Sequence, residues 1–215
     1  MKKIAFVFVI IGSMLISACL KVESRINADG SGTWAFGMFF AEETLRTSNQ
    51  ESPAPDAEKI LSLLDGTKIE DTESGIVFSA EERLQNGGFW VYIIAEVPDI
   101  DRWSRVPDAF TRNVISPDSD FLPLDGFFLA PQVTLNRSTG VMRVELNAPP
   151  PAEIASEELT ADNTAALLQF SYEVILPGEI TDHNGTIDPL TGNPIWIIDF
   201  ASTEPIEFFA EASLD

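Results

Sequence analysis

Side chains able to do covalent or acid–base chemistry are scarce in this chain: one cysteine, Cys19, and one histidine, His183, stand among 34 acidic residues. A lone thiol has no disulfide partner within the chain, so the fold is expected to stand on its own core without covalent staples. His183 lies in Thr181-Asp182-His183-Asn184-Gly185, which reads as a turn, and no Gly-x-Ser-x-Gly elbow supplies a nucleophile for it. Neither His-Glu-x-x-His nor Cys-x-x-Cys occurs, so zinc sites of those kinds are not expected. Oxygen side chains alternate at Asn27, Asp29 and Ser31, and again at Asp182, Asn184 and Thr186 with Asp188 beyond, as they do in loops that wrap calcium. The glycine and distal glutamate of an EF-hand are missing from both places, and turn chemistry accounts for the same residues. With so many carboxylates some pair is inevitable, so pairing alone singles out no glycosidase site. The expectation is a protein without catalytic residues, metal or cofactor, and not an enzyme.

The position of Cys19 says more than its chemistry. Lys2 and Lys3 precede an apolar run from Ile4 to Ile16 broken only by Gly12 and Ser13, the order of a secretory signal. The run is shorter than the roughly 20 residues that span a bilayer. It ends in Ile16-Ser17-Ala18-Cys19, an aliphatic residue and two small ones before the cysteine, which resembles the lipobox of bacterial lipoproteins. That resemblance implies thioether acylation of Cys19 and cleavage between Ala18 and Cys19. Each buried methylene adds about 0.8 kcal/mol, so two or three acyl chains on one residue make a lasting anchor. Residues 1–18 are thus expected to be a leader and 19–215 one exported, lipid-anchored domain of 197 residues, extracytoplasmic on an envelope membrane.

Composition bounds what that domain meets. A hydrophobic fraction of 45% with 10% aromatics is that of a folded globule. Loss of the two leader lysines takes the formal charge from −21 to −23, a surface that repels phosphate backbones, so nucleic acid is excluded as a partner. The same charge disfavours flat adsorption on anionic headgroups. The polar sequence from Glu211 to Asp215 leaves the lipid on Cys19 as the expected membrane attachment.

Leu20, Val22 and Ile26 alternate with Lys21, Glu23 and Arg25, a half-buried strand. The turn from Asn27 to Gly32 leads into a second strand in which Trp34, Phe36, Met38 and Phe40 share a face, making a hairpin. Asp56 as N-cap, Glu58 in the first turn and the stripe Ala57, Ile60, Leu61 and Leu64 up to Gly66 predict a helix covering a sheet face. Further strands are expected at Ile76 to Phe78 and Phe89 to Val97, the latter apolar on both sides and so predicted to be covered on both. Trp103, Val106 and Phe110 have near-helical spacing around Pro107, which predicts a short or bent helix. Val133 to Asn136 and Val141 to Leu146 flank a turn, and Phe170 to Leu176, Ile195 to Phe200 and Ile206 to Ala210 complete the strands. The fold class is α+β, a mainly antiparallel sheet with one to three short helices.

A cysteine followed at once by a strand and Asn-Ala-Asp-Gly-Ser-Gly, with Leu176-Pro177-Gly178-Glu179-Ile180-Thr181, Asn184-Gly185 and a strand bearing Trp196 near the end, resembles the LppM-type lipoprotein domain of mycobacteria and other bacteria. The resemblance spans most of residues 19–212. It implies an envelope-exposed α+β domain without an established enzyme activity, in some cases associated with lipids or glycolipids. Trp34, Phe36, Trp90, Tyr92, Trp103 and Trp196 are then candidates to line an acyl or sugar pocket, and packing in an ordinary core is the competing reading of the same residues. The function expected is the binding of a lipid, glycolipid or other apolar ligand; the alternative is a structural or scaffolding component of an envelope protein complex.

Overall fold

The computed structural model of the chain describes residues 19–41, 62–85, 88–114, 129–150, 169–199 and 202–214. The leader expected at 1–18 lies outside these, as do Asp56, Ala57, Ile60 and Leu61 of the first expected helix. Its last turn is described: residues 62–64 are helical and Leu63 is fully buried.

The strands are β1 (Cys19–Ile26), β2 (Gly32–Ala41), β3 (Ile69–Asp71), β4 (Ile76–Gln85), β5 (Gly88–Val97), β6 (Gln132–Asn136) and β7 (Val141–Ala148). They continue as β8 (Gln169–Ile175), β9 (Glu179–His183), β10 (Thr186–Ile187), β11 (Pro194–Ile198) and β12 (Ile206–Ser213). Between β5 and β6 a 3₁₀ turn, Ile100–Arg105, runs into α1 (Val106–Asn113). One sheet has the order β10-β11-β8-β1-β2-β5-β4-β3 and the other β6-β7-β12-β9. Pairing is antiparallel except between β1 and β8. The α+β class with a mainly antiparallel sheet therefore holds, divided over two sheets.

The first hairpin forms as the alternation predicts. Leu20 pairs with Met38, Val22 with Phe36 and Ser24 with Trp34, which puts the apolar positions of both strands on one face. Its turn is closed by Asn27 N–H donating to the Ser31 carbonyl at 2.8 Å, with Gly30 at φ +89°. A Cβ at Gly30 would lie 2.8 Å from that of Ile100, so both backbone angle and space call for glycine.

One face of the large sheet is covered twice. Over β2 and β4 lies α1, whose Phe110 ring meets Trp34 at 5.5 Å, Phe36 at 6.3 Å and Phe78 at 6.0 Å in edge-on contacts. Toward β8 and β11 lies the small sheet, whose Phe208 meets Tyr172 at 4.8 Å and Trp196 at 4.6 Å. Pro107 stands in the first turn of α1, where its missing N–H costs nothing, so it opens the helix rather than breaking it.

Two expectations change. β5 is central, and Val91, Ile93, Ala95 and Val97 enter the core, while on the other face, where no described helix or second sheet packs, Trp90 and Ile94 stay half-exposed and Tyr92 is buried. The stretch Thr181 to Gly185, expected to be a turn, begins with the last three residues of β9 and is followed at once by β10, so that only Asn184-Gly185 turns, carrying the chain from the small sheet to the large one. Asn184 clamps that crossing: its amide donates to the Glu207 carbonyl at 2.9 Å, and its Oδ1 accepts from Trp196 Nε1 at 3.0 Å and Phe209 N–H at 2.9 Å.

Candidate functional site

Cys19, where acylation is expected, is the first residue of β1, a strand paired on both sides near the middle of the large sheet. It is in register with Gln169 of β8 and one residue before the Leu20–Met38 pair, level with Phe39 of β2. No linker separates an anchor at this residue from the fold.

The sheet's outer face, opposite α1 and the small sheet, runs away from this position in register rows. Phe39, Trp90 and Arg83 are neighbours across β2, β5 and β4. Two residues further along come Ile197, Ser171, Lys21, Gly37, Tyr92 and Glu81. The Phe39 and Trp90 rings lie 5.5 Å apart, Trp90 stacks with Tyr92 at 5.7 Å, and the Arg83 guanidinium sits 4.3 Å over the Tyr92 ring. Gly37 makes this possible, because a Cβ there would come within 2.6 Å of the Tyr92 ring.

Beside the aromatics is a charged pair. Lys21 Nζ donates to Glu173 at 2.5 Å, and Asn193 Nδ2 donates to the same carboxylate at 2.8 Å. Burial penalises the Glu173 carboxylate, but the bonds from Lys21 and Asn193 more than offset this and hold its pKa below the usual glutamate value. Burial likewise pulls Lys21 down, and Glu173 outweighs it, leaving the ammonium above its ordinary value. Both groups are ionised at neutral pH and satisfied by each other, which marks them as structural rather than poised for proton transfer.

The six aromatic candidates occupy three separate places. Trp34, Phe36 and Trp103 are fully or almost fully buried under α1 and the 3₁₀ turn. The two indoles there are satisfied internally, Trp34 Nε1 by the Leu129 carbonyl at 3.1 Å and Trp103 Nε1 by that of Gly30 at 2.9 Å. Trp196 lies between the sheets on Phe208. Trp90 and Tyr92 are on the outer face, so the six do not line one space.

The alternating oxygens serve their turns. Asp29 Oδ1 accepts from Ser31 N–H at 2.9 Å and from Ser31 Oγ at 2.6 Å, and Asp188 Oδ1 accepts from Leu190 N–H at 2.8 Å. Among the described residues no group of three or more His, Cys, Asp or Glu is placed to hold a metal ion. His183 Nδ1 lies 2.9 Å from the Gly185 carbonyl within its own turn.

A polar hub that the sequence did not announce lies between β3 and α1. Asp71, 4% exposed, accepts from Ser74 N–H at 3.0 Å, Ser74 Oγ at 2.5 Å, Asn113 Nδ2 at 2.9 Å and Arg112 Nη2 at 3.0 Å. Burial acts to raise its pKa, and these donors overcome that and lower it to about 2. Its donors come from residues 74, 112 and 113, a separation that no local spacing reveals. The hub pins α1 to the sheet.

No protein-family model matches the chain, and no curated protein sequence matches it either. Among solved structures, the NMR structure of the folded domain of Mycobacterium tuberculosis LppM is similar, with a TM-score of 0.45 and 10% identity over 91% of this chain and 89% of that one. LppM is the protein after which the family resembled by the turn motifs is called, and at this identity and score the likeness assigns no activity. Among the described residues no helix is long and apolar enough to cross a membrane.

Proposed function

We propose that this chain is a cell-envelope lipoprotein: an exported, extracytoplasmic domain, cut before Cys19, acylated there and held against a membrane, which binds a lipid, glycolipid or other apolar ligand and performs no catalysis. The observation that carries the reading is the position of Cys19 as the first residue of a doubly paired strand. An acyl anchor at that point holds the sheet itself, not a tether, within reach of the bilayer. Support for an apolar ligand comes from Phe39, Trp90, Ile94 and Ile197 on the outer face, the last 62% exposed. Purification of the mature protein in mild detergent followed by native mass spectrometry tests it: retained lipid adducts of defined stoichiometry are expected, and an adduct-free spectrum under conditions that preserve the fold contradicts it.

A scaffolding role in an envelope complex is the second reading. It is favoured by a separate apolar patch around the β10–β11 connection, where Leu190 is 92% and Ile187 39% exposed. Cross-linking in intact cells separates the two, because a scaffold yields a reproducible protein adduct through this patch that replacement of Leu190 by Asp abolishes.

A further inference from the structure

We propose that the end of the large sheet carrying Cys19 is a membrane-docking surface, with Phe39, Trp90, Leu84 and Ile197 seated in the headgroup region of the bilayer that holds the anchor and Arg83 at its rim. The inference rests on the reading of Cys19 as the lipidation site and adds an orientation to it.

Strands of one sheet lie side by side, so residues level with Cys19 are carried to the same height above the bilayer. Adjacent strands are about 4.8 Å apart, which places Trp90, two strands away, about 10 Å from β1 and Arg83 and Leu84 about 15 Å from it. Ile197 flanks β1 on the opposite side, two strands away across β8 and one row further from the end, level with Lys21. A lipid on Cys19 therefore enters the membrane beside Phe39 and Trp90 at its own height, with Ile197 one row higher on the other flank.

The residues at this height have the composition of a membrane interface. Trp90 and Phe39 are half-exposed, Leu84 is 92% exposed at the β4–β5 end, and Arg83, whose guanidinium lies over Tyr92 and pairs with Glu81, brings a cation to the edge of the aromatic cluster. At this exposure Leu84 buries almost none of its side chain.

Charge sorts along the same axis. On the outer face, among the described residues, the row level with Cys19 carries Phe39, Trp90 and Arg83. On β1, β2, β4, β5 and β8 carboxylates begin one row further along at Glu81, which is ion-paired with Arg83, and continue at Glu23, Glu173, Glu96 and, on β3, Glu70. The loops at the far end add exposed Asp29, Glu73, Asp99 and Asp101. Two exposed carboxylates do lie at the anchor end: Asp199, which follows Ile198 and is level with Cys19, and Glu82, on the same face of β4 as Leu84. An upright pose with the aromatic end down keeps most of this charge away from anionic headgroups, whereas any pose on the far end or the outer face brings it against them.

The test uses the mature acylated protein reconstituted into vesicles whose phosphatidylcholine carries bromine on the upper acyl carbons. Bromine quenches indoles only at contact distance, and Trp34 and Trp103 are fully buried in the core. Flotation with the vesicles, quenching of the parent protein and loss of that quenching in Trp90→Phe are expected. Leu84→Glu, an exposed position whose change leaves Trp90 in place, is expected to float and to lose most of the quenching. Flotation with equal quenching in parent and Trp90→Phe, or with none in the parent, overturns the docking pose while leaving the anchor intact. Failure to float overturns the anchor and the pose together.

Discussion

Replacing Asp71 by asparagine removes one charge from the hub that joins β3 to α1 and turns one of its acceptor oxygens into a donor. That new donor faces either Ser74 or the Arg112–Asn113 pair, all of which already donate. A pKa lowered from 3.8 to about 2 means that folding favours the carboxylate by nearly two units, or about 2 kcal/mol at 1.36 kcal/mol each. Arg112 is 43% exposed, so its share is screened by water and the figure is an upper value. Because the folded pKa is depressed, this stability is fully present above about pH 4 and lost as pH falls through about 2. Urea titrations followed by tryptophan fluorescence should therefore place Asp71→Asn about 2 kcal/mol below the parent at pH 7, with a thermal midpoint lower by about 6 °C. The difference should narrow between pH 4 and pH 2. Equal stability at pH 7, or a gap that does not change over that acid range, would show that the hub does not hold α1 as the geometry requires.

Phe110→Ala removes the ring that three aromatics contact and is expected to cost about 3–5 kcal/mol by denaturant unfolding. Tyr172→Phe leaves Ser24 Oγ, fully buried and 2.8 Å from the phenol oxygen, without that partner, for a loss of about 1–2 kcal/mol; adding Ser24→Ala should recover part of it in a double-mutant cycle. Gly30→Ala forces a side chain into positive φ against Ile100 and should cost about 2 kcal/mol, with the Trp103 emission shifting as its carbonyl partner moves.

Much of the fold is legible because burial leaves a period in the chain. The alternation from Leu20 to Ile26 and from Trp34 to Met38, with a glycine turn between, specifies the first hairpin and its inward face. The stripe Trp103, Val106 and Phe110 likewise places α1 over the core, and all three are fully buried. β3 and β10 escape such reading because they are three and two residues long, too short to show a period. β5 misleads for a different reason: Trp90 and Ile94 are apolar enough to look covered, yet they face outward, and alternation records which residues share a face without recording what lies on it. The aromatic candidates scatter on the same account. Trp34 and Trp90 are equally aromatic in sequence, but the register of β2 with β5 sends one inward and the other out. The Asp71 hub is assembled by topology from distant residues, and no spacing in the chain announces it.

The proposed function depends on acylation of Cys19, and intact-mass spectrometry of the native polypeptide extracted from the membrane fraction addresses it directly. The expected species begins at Cys19, lacks residues 1–18 and carries the mass of a diacylglyceryl group, alone or with a further acyl chain. A polypeptide that retains the leader, or one that starts elsewhere and bears no acyl mass, would contradict the account.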